Sequence, residues 1–227
     1  MSITNTLRIL SLGMLSAVYG SSFAYQQGDV LVRLGPAWVN PNSDSGEVLG
    51  VGKVAVEDKV GVGFTATYLF NDQFGVELLA SLPFKHELQG RGGLDAIGKL
   101  GDVKHLPPTV TLQWYPKLAD LPVQPYVGLG LNYTFFFNEQ SSGNLDSALG
   151  KTDISLNSSW GWAAQVGLDV PVQGPWFANV ALWYIDIDTK AHLDFNGGPA
   201  TGGAPGHTSV HVNIDPWVAM LGAGYRF

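Results

Sequence analysis

The stretch "PYVGLGLNYTFFFN", residues 125–138, alternates without a fault. Val127, Leu129, Leu131, Tyr133, Phe135 and Phe137 fall on one side of an extended chain, and Gly128, Gly130, Asn132 and Thr134 on the other. An average strand has about five or six residues; alternation of this length matches a tilted crossing of a bilayer. The bulky side is wholly apolar, whereas the opposite side is small and mixed. A soluble barrel would turn the bulky side inward and wet the other; a transmembrane barrel does the reverse.

Seven further segments repeat the pattern. Val32, Leu34, Pro36 and Trp38 oppose Leu31, Arg33, Gly35 and Ala37, and Val62, Phe64, Ala66, Tyr68 and Phe70 oppose Gly61, Gly63, Thr65, Thr67 and Leu69. Val76, Leu78, Ala80, Leu82 and Phe84 oppose Glu77, Leu79, Ser81 and Lys85, and Val110, Leu112 and Trp114 oppose Thr109, Thr111 and Gln113. Trp162, Ala164, Val166, Leu168 and Val170 oppose Gly161, Gln165, Gly167 and Asp169, and Val180, Leu182 and Tyr184 oppose Asn179, Ala181 and Trp183. The eighth segment runs through Trp217, Ala219, Leu221, Ala223, Tyr225 and Phe227. An even number of antiparallel strands can close with no edge left unpaired. The expected fold class is therefore all-β, an eight-stranded antiparallel transmembrane β-barrel.

Composition agrees. Of 227 residues 45% are hydrophobic and only 14% charged, against about 25% charged in a typical soluble domain. After the first two dozen residues no apolar run is long enough for a membrane-spanning helix. The net charge of −7 and the lack of a basic stripe speak against nucleic acid as a partner. With no cysteine, neither disulfides nor thiolate chemistry is available. Residues 1–24 read as an export signal peptide: Arg8, an apolar stretch from Ile9 to Tyr19, and Ser22-Phe23-Ala24 as a cleavage site. Residues 25–227 would then form the barrel domain.

The connections alternate in length. Residues 71–73, 117–124 and 173–175 are short, whereas 40–58, 87–103, 139–157 and 191–208 are long and rich in Gly, Ser, Asn and Asp. This is the outer-membrane arrangement of short periplasmic turns and long extracellular loops. Aromatic residues fall where the interfaces would lie: Phe70, Trp114, Tyr225 and Phe227 on the periplasmic side, Trp38, Phe84, Phe137 and Tyr184 on the outer side.

The inward set changes along the barrel axis. Arg33, Glu77, Asp169 and Arg226 fall near the periplasmic end, with Gln113 and Gln165, and form a candidate plug, because eight strands enclose an interior that side chains just fill. Phe136, Ile185, Val218 and Met220, together with Trp183, fall nearer the outer end and suggest an apolar lumen, with Leu79 between. A greasy solute cannot readily cross a layer of paired charges, but it can leave sideways into lipid if the wall has a break. Pro107 and Pro108 in "HLPPT" lack N–H donors and are the candidate lateral gate; the plainer reading is a bend at the rim.

Other chemistry is thin. His86, His105, His192, His207 and His211 show no metal-ligand spacing and read as surface or rim residues. There is no nucleophile elbow, and "GPATGGAPG" from Gly198 reads as flexible loop. The segment "NLDSALG" from Asn144 suits a helical turn. No catalytic residue, metal or cofactor is expected.

Five blocks, in order, carry a resemblance: "GVELLASLPFKHEL" from Gly75, "KHLPPTVTLQWYP" from Lys104, "PYVGLGLNYTFFF" from Pro125, "WYIDIDTKA" from Trp183 and "DPWVAMLGAGYRF" from Asp215. Through them the chain resembles the outer-membrane protein W (OmpW) family over its whole mature length. The resemblance implies a monomeric barrel of the bacterial outer membrane with a narrow hydrophobic channel for small apolar molecules. It also implies a constriction at Leu79 and Trp183, release of ligand through the wall, and an assembly signal in Gly222, Tyr225 and Phe227. Expected partners are outer-membrane lipids and lipopolysaccharide, small hydrophobic solutes, and the barrel assembly machinery during insertion. Two other classes stay open: a structural barrel or receptor for bacteriocin, phage or host, and a lipid-modifying enzyme.

Overall fold

Each alternating segment becomes a strand in the computed structural model, which describes residues 25–42, 44–48, 50–118 and 121–227. The expected signal peptide lies outside the described residues, and so does the Phe84 side chain. In chain order the strands are β1 (Val30–Asn40), β2 (Asp44–Ser45), β3 (Gly52–Val56), β4 (Lys59–Leu69), β5 (Phe74–Ser81), β6 (Phe84–Gly92), β7 (Lys99–Leu106) and β8 (Thr109–Trp114). They continue with β9 (Gln124–Ser141), β10 (Thr152–Leu156), β11 (Ser159–Gln173), β12 (Trp176–Ile185), β13 (Asp188–Phe195), β14 (Gly206–Asn213) and β15 (Trp217–Arg226). A short helix, α1 (Gly143–Leu149), precedes β10.

Eight of these strands close on themselves in the order β1, β4, β5, β8, β9, β11, β12, β15, every pair antiparallel. Closure reaches the last residue, where the Phe227 N–H donates to the Val30 carbonyl at 2.9 Å. The two faces divide as the alternation requires: Leu129 and Leu131 are 69% and 63% exposed, whereas Asn132 and Thr134, on the opposite face just beyond them, are fully buried. Rings gird both ends of the exposed band. Trp176, Tyr225 and Phe227 pack together below, and Tyr184 lies between Trp162 and Trp217 above.

Above the band the chain departs from the expected long loops. Residues 87–103 are largely the β6–β7 hairpin, which with β3 joins the upper half of β9. β13 and β14 form a second hairpin, flanked by β10 and β2. The Ser142 hydroxyl caps α1 by accepting from the Leu145 N–H at 3.1 Å, in agreement with the helical turn expected there. Ala191, Leu193, Phe195, Val210 and Val212 face inward, opposite Leu88, Leu100 and Val103, and Leu145 and Leu149 join them. Their alternate neighbours Lys190, His192 and Asp194 are polar. Within the band strands are apolar outside and mixed inside; above it water replaces lipid and the polarity inverts. Each large apolar side chain buried there contributes about 1.5–3 kcal/mol.

Candidate functional site: an ion layer beneath an apolar chamber

The short inward-facing residues of eight strands leave room at the periplasmic end for one large polar cluster. Arg33 on β1 is its centre. Its Nε and Nη2 donate to the two oxygens of Asp169 on β11 at 3.0 and 2.6 Å, and Nη1 reaches Glu77 on β5 at 3.3 Å and Thr67 at 2.9 Å. All three ionic side chains are fully buried. Asp169 also accepts from the Tyr25 hydroxyl at 2.7 Å and from Asn179 at 2.8 Å. Tyr115 accepts from Arg33 at 3.2 Å and donates to Gln113 at 2.6 Å, and Gln113 donates to Gln165 at 2.9 Å. The guanidinium lies 5.0 Å from the Tyr126 ring and 5.4 Å from that of Phe177. Such an arrangement offsets desolvation only while every partner is present.

Two glycines make the layer fit. A Cβ on Gly167 would come within 2.2 Å of the Tyr126 ring, and one on Gly224 within 2.1 Å of the Phe177 ring. Gly224 belongs to the terminal "GAGYRF", so that stretch seats an aromatic inside as well as presenting Tyr225 and Phe227 outside.

Above the layer the lining changes to Ala37, Leu79, Ile185, Ile187 and Val218, which with His105 border a small apolar cavity of about 30 Å³. The apolar interior continues without interruption into the extracellular sheets. On one side the chamber reaches Ala80, Ser81 and Pro107, where the wall is incomplete. The β5–β8 ladder ends at Leu79↔Thr109, and its upward continuation, β6–β7, resumes only at Phe84↔His105. Between them Pro107 and Pro108 have no N–H to give, and Pro83 on the facing segment has none either. The break is confined to that side: toward β9, the Pro108 carbonyl still accepts from the Tyr133 N–H at 3.1 Å.

Arg33, Glu77 and Asp169 thus meet in one cluster, whereas Arg226 lies at the periplasmic rim, 3.8 Å from Asp29. Leu79, Ile185 and Val218 line the chamber, and Trp183 is buried beneath it, beside Val218 in the ladder. Met220 is buried, with its sulfur 2.9 Å from where a Cβ on Gly63 would sit. Phe136 is half-buried higher up, 5.9 Å from the His105 ring. Gly222 crosses close to the Leu34 carbonyl on the neighbouring strand. Sequence reading missed Tyr25, Tyr115, Tyr126 and Phe177; the last three share parity with inward Gln113, Gly128 and Asn179, and that was the available signal.

Two histidines are not surface residues. His86 and His105 are buried and stack at 4.8 Å inside the β6–β7 hairpin, above the lipid-facing band. The His86 Nδ1–H donates to the Glu57 carbonyl at 2.7 Å, tying β6 to the β3–β4 connection. Burial, and then the His86 neighbour, push His105 down to about 3; burial also lowers His86. The pair packs as neutral rings because the segment buries its alternate residues, which the polar count of the region concealed.

A closed eight-stranded barrel with lipid-facing apolar strands, a sealed ionic floor and an apolar chamber defines an integral β-barrel protein of the bacterial outer membrane. The OmpW family profile matches residues 26–227, and the chain belongs to that family. Outer membrane protein W of Escherichia coli (strain K12) is 41% identical over 222 residues, covering 97% of this chain and 99% of its own. Outer membrane protein W of Vibrio cholerae is also 41% identical over 222 residues, covering 96% and 98%. The crystal structure of OprG from Pseudomonas aeruginosa superposes with a TM-score of 0.80 at 41% identity, over 90% of this chain and 98% of that one. Like its family, the chain is not an enzyme.

Proposed function

We propose that the barrel is a passive channel for small hydrophobic molecules, which enter the apolar chamber from the extracellular side and leave through the wall break into the membrane. The observation that carries this reading is the chamber's position: an apolar space whose floor is a desolvated ion layer and whose side abuts the one unladdered stretch between β5 and β8. An apolar solute has no favourable contacts in the ion layer. Moving sideways into acyl chains keeps about 0.8 kcal/mol per CH₂ that a return to water would lose. Leu79, at the chamber's lower wall, and Trp183, beneath it, set how deep a solute can go. Pro107 and Pro108 keep the break open by withholding donors.

The double variant Pro107→Ala/Pro108→Ala restores the two missing N–H groups, that of residue 108 on the β9 side and that of residue 107 beside the seam. Uptake of an apolar fluorophore into proteoliposomes should slow several-fold, with the heat-dependent gel shift of the folded barrel unchanged. Wild-type uptake rates in a folded double variant would remove the lateral route. A chamber that still filled with fluorophore in that case would leave the channel reading intact but direct it elsewhere.

A further inference from the structure

We propose that Lys85 and Lys104 clamp the phosphate of an outer-leaflet glycolipid headgroup immediately above the wall break. The outward rungs between the β7–β8 continuation and β9 climb from Val110–Leu131 through Pro108–Tyr133 and Leu106–Phe135 to Lys104–Phe137. Hydrocarbon-facing residues give way to a lysine at the last rung, where the headgroup layer begins. Lys85 sits directly opposite Lys104 in the β6–β7 ladder, on the same face and about 5 Å away at Cα. Like charges placed directly opposite one another repel, so a bare Lys–Lys rung destabilises the hairpin unless an anion lies between.

The next outward rung, Glu87 opposite Asp102, meets that need only in part. Asp102 is shared between Lys85 at 3.2 Å and Lys99 at 2.9 Å, and Glu87 lies 3.5 Å from Lys99. Among the described residues Lys104 has no ion pair. Across the barrel the corresponding rim carries Asp186, Asp188 and Asp215 instead, which would repel a phosphate. Below the lysines, Leu82 is 67% exposed next to the break, and with Leu106 and Phe135 it offers acyl chains an apolar seat. The two lysines and this apolar seat fit an amphiphile with a phosphorylated head, and the placement is independent of whether solutes pass through the break.

The test uses the folded, full barrel in a neutral detergent, titrated with diphosphoryl lipid A and followed by native mass spectrometry. Lys85→Gln/Lys104→Gln should weaken lipid A binding about thirtyfold, at about 1 kcal/mol for each lysine near the surface. Lys85→Arg/Lys104→Arg should bind like the parent, and so should Lys190→Gln on the far sheet. Fully dephosphorylated lipid A should bind the parent as weakly as lipid A binds the Gln double variant. Equal binding by the parent and the Gln double variant overturns the clamp. Displacement of lipid A by millimolar inorganic phosphate would assign the site to a free anion and overturn the lipid.

Discussion

Two regions inside the same eight strands are built on opposite terms. The periplasmic half is packed with charged, hydroxylated and amide side chains that bond mostly to one another; the outer half packs apolar side chains around a small cavity. Filling needs complementarity, since one guanidinium there bonds two carboxylates, Tyr115 and Thr67 and lies against the Tyr126 ring. Openness needs only that nothing large or polar intrude. The floor therefore tolerates substitution poorly, whereas the chamber should tolerate apolar changes and respond in what it admits.

The sharpest way to break this contrast is Arg33→Ala. It leaves Asp169 and Glu77 buried without their cation, and should cost about 3–5 kcal/mol, read as a lowered urea midpoint in detergent. An apolar replacement of all three ionic residues should cost less than that single change, because an unpaired charge is worse than none. A smaller effect is expected of Gly224→Ala, whose Cβ would meet the Phe177 ring; overpacking of this kind costs about 1–3 kcal/mol and should appear in the same midpoint.

The smallest effect belongs to the upper region and depends on pH. His105 is held down to about 3 in the folded state, against about 6.5 when unfolded, so the folded barrel binds fewer protons. Stability is then fully present above about pH 6.5 and falls as pH drops toward 3. Unfolding midpoints at pH 7.5 and 5 should differ for the parent, and the difference should shrink in His105→Phe. A pH slope unchanged in that variant would place the titrating group elsewhere.

How much of this was legible beforehand follows from where alternation is easy to see. Inside the band every second residue is large and apolar, so strand, face and inward residues such as Arg33, Glu77, Leu79 and Trp183 could be assigned by parity alone. Above the band the same parity persists in Ala191, Leu193 and Phe195, but the intervening Lys190, His192 and Asp194 made the stretch look like loop. His86 and His105 were hidden for the same reason: their polarity suggested surface, and their position in the alternation put them inside. Arg226 shows the limit of parity in the other direction, since a residue at a strand end can point inward by register and still reach the rim. Tyr115 and Tyr126 were lost because aromatic rings near a membrane edge invite an interfacial reading, and nothing short of the packing against Arg33 distinguishes the two.

The break beside Pro107 has one more property. Both of its lips are stitched to their outer neighbours: Ala80 and Ser81 pair with Phe64 and Gly63, Leu82 donates to the Val62 carbonyl, and Pro108 accepts from Tyr133. Neither lip has a loose end to swing. Held in this way, a lateral exit there would act as a notch rather than a shutter, with a clearance set by side-chain rotamers. If the lateral route proposed above holds, such a port would have no cycle to complete, and a solute that fits its outline would cross in either direction, driven only by its own concentration difference.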